Sequence, residues 1–219
     1  MKRTGRGPRI VEGLAPRVGF RHTPANAPRP CRLCGALGPF CESILKRQSI
    51  ATLSDADRLE TLITSSAEVT ASRLRDVLQA SSGLDALACL KFTPTGCDPL
   101  EPSRGLNVVE QINQTFTYLA SLAAVRWLLA RHPANAPYTL NLGTTSGSDI
   151  ASLDGLVAGE VFAATHPDSN DKLRKDLDKV GLSTAAHKYV FYLSPQASRR
   201  PTRPGITAVR LEHSSLTRL

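Results

Sequence analysis

The residues best placed to do chemistry are two acids in the stretch Ser146–Ala164, SGSDIASLDGLVAGEVFAA. Asp149 heads the short apolar run Asp149-Ile150-Ala151-Ser152-Leu153. Glu160 lies inside a second run, Leu156 to Ala163, that is otherwise almost wholly apolar. A carboxylate in such a run costs several kcal/mol to bury unless it is paired or binds a cation. Asp154-Gly155 between the runs is a strong tight-turn dipeptide, so the stretch reads as two strands of a hairpin. Two carboxylates on neighbouring strands can meet around one divalent cation, Mg²⁺ or Mn²⁺, and that arrangement suits metal-assisted hydrolysis. The metal reading requires both acids on one side of the sheet. Acids on opposite sides, or each locked to a basic neighbour, would point to plain ion pairing.

Other groups invite weaker readings. Cys31 and Cys34 have the two-residue gap that lets two thiolates share Zn²⁺, with Cys41 as a third ligand and His22, Cys89 or Cys97 as a fourth. A second close pair is missing, so free thiols are the competing reading. Lys172, Arg174, Lys175 and Lys179 make a basic helix that suits either solvent or a phosphate backbone. His166 and His187 read as surface or loop residues. Asp154 reads as a turn residue. No serine–histidine–acid arrangement is legible. Gly143–Gly147 lacks the Gly-Lys-Ser/Thr ending of a phosphate loop.

The elements that must hold these residues follow from periodicity. Ser54-Asp55-Ala56-Asp57 resembles a capping signal, with Leu59, Leu62 and Ile63 as an apolar stripe, and a second helix is expected over 67–79. Pro and Gly between Thr93 and Gly105 mark a boundary between a small helical region, 31–104, and a core, 105–198. Asn107 to Arg131 is the strongest helix, with Val109, Ile112, Phe116, Leu119, Ala123 and Trp127 at helical spacing. Asn107-Val108-Val109-Glu110 fits a capping box at its start. Tyr138–Leu142 reads as a strand with outward Thr139 and Asn141. A helix runs from about His166 to Val180 with Gly181 as its stop, and Lys188–Leu193 is a further strand. The expected class is α/β, a mixed sheet flanked by helices.

Composition bounds the rest. The chain has 219 residues, 41 % apolar but only 5 % aromatic, which predicts one substantial aliphatic core. No apolar run reaches the roughly 18 residues of a membrane span. Five cysteines at irregular spacing fit a reducing, cytoplasmic setting. The net charge of +8 is concentrated at the ends. Residues 1–30 carry seven Lys/Arg against one acid among five prolines and four glycines, and residues 199–219 carry five Arg against one acid. Such ends suit a polyanion such as DNA or RNA, or serve as solubilising tails.

The order helix, three strands, helix, strand over 105–195, with these acids, resembles the core of the PD-(D/E)XK nuclease superfamily, the restriction-endonuclease-like fold. Ser148-Asp149 stands where that family has Pro-Asp, and Glu160-Val161-Phe162 where it has Glu-X-Lys. The resemblance implies that Asp149 and Glu160 hold Mg²⁺ and that Glu110, on the first helix, supports the ion. Phe162 departs from the pattern, since phenylalanine can neither orient nor deprotonate water. Lys172 is the first substitute for the missing amine, ahead of Lys175 and Lys188. The expected function is a divalent-metal-dependent endodeoxyribonuclease, restriction-type, with DNA as partner. A homodimer is implied because cutting both strands needs two sites. The alternatives are a nuclease-fold protein that binds DNA without cutting it, and an interaction protein whose acids are merely paired.

Overall fold

A computed structural model describes residues 46–143, 146–198 and 203–212. The first strand, β1 (Arg47–Ile50), leads into one long helix, α1 (Leu53–Ala80), where two shorter helices were expected. Its cap lies at Thr52, earlier than the Ser54 signal suggested. The Thr52 hydroxyl accepts the Asp55 N–H, and the Asp55 carboxylate accepts the Thr52 N–H at 2.9 Å. The buried stripe Ala56, Leu59 and Ile63 continues through Ser66 and Thr70, so small polar residues extend the helix where an apolar count sees a gap. Ser66 and Thr70 satisfy their hydroxyls on the carbonyls of Cys97 and Ser66. A short helix, α2 (Gly83–Phe92), follows.

The segment expected to be a boundary instead folds into an antiparallel hairpin, β2 (Gly96–Asp98) and β3 (Glu101–Leu106). Gly96 permits its close approach to the helices: a Cβ there would stand 2.4 Å from Gln111 Oε1 and 2.8 Å from Thr70 Oγ1. The carboxylate of Asp98, fully buried, accepts from the Leu100 N–H and Gln114 and pairs with Lys46 and Arg104. Helix α3 (Val108–Arg131) then packs on α1, where Arg126 bridges Asp57 and Glu60.

The main sheet has the order β1, β4 (Tyr138–Asn141), β5 (Ile150–Ser152), β6 (Val157–Ala163), β7 (His187–Leu193), β8 (Ile206–Leu211). Strands β1, β4, β5 and β6 pair antiparallel, and β6, β7 and β8 pair parallel, so the sheet is mixed, as expected. Helix α4 (Lys172–Gly181) connects β6 to β7. The partition of the chain differs from the sequence reading. Because β1 pairs with β4, residues 47–104 share a sheet and a core with residues 105–198. Strand β8, within the segment assigned to a basic tail, completes the sheet edge.

Strand β6 explains its own composition. Val157 and Val161 pack with α3, while Ala158 and Phe162 pack with Leu173, Leu177 and Val180 of α4. A strand covered on both faces reads as continuously apolar instead of alternating. By the same period of two, Glu160 faces α4. Helix α3 departs from expectation at its start: Val109 and Ile112 are each 50 % exposed and Phe116 38 %. The buried side of those first turns is polar, with Gln111 donating to Thr115 and Ser66. Asn141, expected to point outward, is buried as well.

Candidate functional site

In the β5–β6 ladder Ile150 pairs with Gly159 and Ala151 with Ala158. One step further along the same register, Asp149 stands opposite Glu160. Directly opposed residues share a face of the sheet. The two acids therefore sit on one side, turned toward α4. Asp149 Oδ2 accepts the Val161 N–H at 2.9 Å. Glu160 is 1 % exposed; its Oε2 accepts from Lys179 Nζ at 2.6 Å, while Oε1 has no hydrogen-bond partner. The same ammonium lies 3.9 Å from Asp149 Oδ1. Like charges directly opposed on a sheet repel, and here one lysine answers both. Glu160 is thus tied to a base. Asp149 meets that base only at the outer limit of an ion pair.

Helix α4 supplies the rest. Lys172, Asp176 and Lys179 are four and three residues apart, a spacing that puts them on one helical face. Lys172 Nζ is 2.7 Å from Asp176 Oδ1 and 6.0 Å from the centroid of the Phe162 ring. Asp176 is buried and its Oδ2 has no hydrogen-bond partner. Two of the three carboxyls, Glu160 and Asp176, thus have a buried oxygen without a hydrogen-bond partner. Burial pushes the Glu160 carboxyl up to about 7 against the opposing pull of Lys179, and the charge of Asp149 adds to the rise. Burial raises Asp176 too, despite Lys172. Burial alone would lower Lys179, but its hydrogen bond to Glu160 and the charges of Glu160, Asp149 and Asp176 outweigh that and hold its pKa above the ordinary value.

Asp149 also lines a cavity of about 520 Å³ with Phe162, Lys172, Lys175, Asn113 and Asn141. Asn170 at its rim and the adjacent Asp171 hold φ of 55° and 56°. Left-handed backbone at two successive non-glycine residues carries strain, and such strain clusters where a site is shaped.

The other expected site residues are elsewhere. Glu110 closes the capping box of α3, accepting the Asn107 N–H at 3.2 Å while Asn107 Oδ1 accepts the Glu110 N–H. Among the described residues no group of three or more His, Cys, Asp or Glu side chains is placed to hold a metal, so Glu110 forms no such group with Asp149 and Glu160. Lys188 donates to the Gly181 carbonyl at the far end of α4. Cys31, Cys34 and Cys41 lie outside the described residues, and Cys89 and Cys97 form no disulfide with each other. Asp154 is the turn residue expected, accepting from Ser152 Oγ, the Leu156 N–H and Asn135. Asp176 is the residue that sequence reasoning missed, and Lys179, read there only as part of a basic helix, was not joined to the acids. The signal was available in the spacing of Lys172, Asp176 and Lys179, but only if α4 was known to lie over Glu160.

The donor set suits a hard cation. Asp149 and Glu160 offer carboxylate oxygens from one face, one of them without a hydrogen bond, and Mg²⁺ commonly takes only one or two carboxylates from a protein. No protein-family model matches this chain, and no curated protein or solved structure matches it significantly.

Proposed function

We propose that this chain is a divalent-metal-dependent endonuclease of restriction-endonuclease-like architecture that hydrolyses phosphodiester bonds in DNA. The observation that carries the reading is that Asp149 and Glu160 oppose each other on one face of the sheet, Asp149 lining a cavity that Lys172 lines as well. The order α3, β4, β5, β6, α4, β7 supports it, since it is the helix-strand-strand-strand-helix-strand order that accompanies such acids. Asp149 and Glu160 would hold Mg²⁺ or Mn²⁺, which when bound offsets charge on the phosphate and acidifies a water.

The chain's own residues then divide the work. Lys172 takes the part of the lysine absent at position 162: its ammonium lines the cavity, and Asp176 holds it there. A lysine at that place orients a water and donates to a phosphate oxygen. Lys179 opposes the effect of burial on the Glu160 carboxyl, whose pKa nevertheless stands at about 7. The Arg-rich ends would add sequence-independent affinity for the phosphate backbone. A homodimer acting in the cytoplasm completes the proposal, since cutting both strands of a duplex takes two sites. Among the described residues no helix is long and apolar enough to cross a membrane.

One observation favours a second reading, DNA binding without cleavage. Glu160 already has a cationic partner, and the motif lysine is a phenylalanine. Incubating purified protein with plasmid DNA, with Mg²⁺ or Mn²⁺ and with chelator, separates the two. Metal-dependent nicking or linearisation is the expected result. A mobility shift with no cleavage in any metal sinks the nuclease reading and leaves the second.

A further inference from the structure

Two cavities meet beside this site. The first, of about 520 Å³, is bounded by Asp149, Lys172 and Lys175 and carries hydroxyls and amides, among them Thr117 and Asn113. The second, of about 350 Å³, is apolar and is walled by Ile112, Phe116, Leu193 and Pro195. Both are lined by Asn113, Ala163 and Ala164, so they form one continuous cleft with a cationic end, a polar middle and an apolar end. Three features of that cleft lack an internal role. The Asn113 side chain and the Lys175 ammonium make no hydrogen bond or ion pair to any described residue. Ile112 and Phe116 present large apolar surface to solvent on a helix whose polar side is buried.

A ligand that fits all three needs an anionic group, a polar edge and a flat apolar face. A lipid tail fails on the polar middle. An extended peptide can bring a carboxylate to Lys172 and Lys175, but it carries its charge, its polar edge and its apolar face on separate flexible side chains. An unpaired nucleotide has every part: phosphate, hydrogen-bonding base edge and π-face. A base within a duplex has its edge and faces already engaged, so only an unpaired one can lie on an aromatic ring.

We infer that this cleft binds an unpaired nucleotide of a polynucleotide chain, with its base against Phe116 and Ile112 and its phosphate toward Lys172 and Lys175. The inference rests on the proposed nuclease reading and deepens it: each site takes one strand with its base unpaired, whether free single-stranded DNA or one strand of a locally opened duplex.

Binding is measured in chelator, where nothing is cut, by fluorescence anisotropy of a short fluorescein-labelled DNA oligonucleotide, single-stranded or annealed to its complement. The unsubstituted chain should bind the single strand more tightly. Phe116→Ala should weaken single-strand binding about tenfold, the loss that stacking of one base supports, and leave duplex binding within about twofold. Phe116→Trp should retain it. Ile112→Glu, at a half-exposed position that tolerates charge, should weaken it by repelling the phosphates. Equal losses on both oligonucleotides, or none with either variant, overturn the inference. Failure of the chain to bind any oligonucleotide overturns it too. Tight, Phe116-dependent binding without cleavage when Mg²⁺ is restored upholds the cleft and removes only the nuclease reading.

Discussion

The ammonium of Lys172 stands 6.0 Å from the centre of the Phe162 ring. Phe162 occupies the strand position where the nuclease pattern has its lysine, and Lys172 reaches the same place from the helix above. Phenylalanine there packs into the core against α4, and the cation returns from the other side of that core. Lys172→Ala should therefore lower metal-dependent cleavage by about two orders of magnitude, a typical loss for one positioned acid–base group. Stability should fall as well, because Lys172 is the base paired with buried Asp176, so cleavage is compared per folded molecule. Unaltered turnover would move the amine to Lys175.

Asp149→Ala and Glu160→Gln should each abolish cleavage, by about 100-fold or more, while near-native circular dichroism is retained. Glu160→Gln is the better substitution because it preserves volume in a buried position. Full activity in either variant removes that residue from the site.

Lys179 is expected to matter for stability, as the base paired with buried Glu160. Lys179→Met leaves Glu160 buried without its base, a loss of about 3 kcal/mol at neutral pH by the usual cost of breaking a buried pair. Adding Glu160→Gln should recover most of that loss. Denaturant unfolding of the two single variants and the double variant measures the coupling. Additive effects would show that the pair is not energetically linked.

Glu160 also predicts a pH dependence. Its folded pKa is about 7, above the 4.5 of a free glutamate, so the folded chain holds the proton where the unfolded chain has released it. Stability from this group is therefore greatest below about 4.5, falls as pH rises toward 7, and is level beyond. Asp176, raised in the same direction, adds to the fall. Comparing urea midpoints of the unsubstituted chain and Glu160→Gln across that window tests the sign: the variant should lose less stability on going to neutral pH. A steeper loss in the variant would contradict the assignment.

Glu110 separates cap from catalysis. Glu110→Ala removes one half of a capping box and should cost about 1 kcal/mol of stability. Cleavage per folded molecule should stay unchanged. A cleavage defect with normal stability would restore Glu110 to the metal site.

Removing residues 1–30 deletes seven basic residues. DNA affinity should fall, and the dependence of log affinity on log salt should flatten. An identical slope would make that segment a bystander.

Much of the site was legible from nearest neighbours. The turn at Asp154-Gly155, the apolar runs on either side and the two interrupting acids together dictate that Asp149 and Glu160 oppose each other, because a hairpin's register follows from its turn and a pleat repeats every two residues. The capping box at Asn107, the helix that follows it and the strand expected at 188–193 are local in the same sense, whereas the cap at Thr52 lies two residues before the signal read at Ser54. What lay beyond reach depends on contacts between distant segments. Glu160 meets Lys179, 19 residues away, only because α4 crosses back over β6. Nothing local reveals that β1 pairs with β4 across a stretch holding three helices, or that β8 adds to the far edge. The stripe Val109, Ile112 and Phe116 has the spacing of a core face, yet Gln111 and Thr115 occupy the buried side, since α1 offers Ser66 to Gln111, which also donates to Thr115. Periodicity says that a helix has two sides; which side is buried is decided by what the opposite element presents.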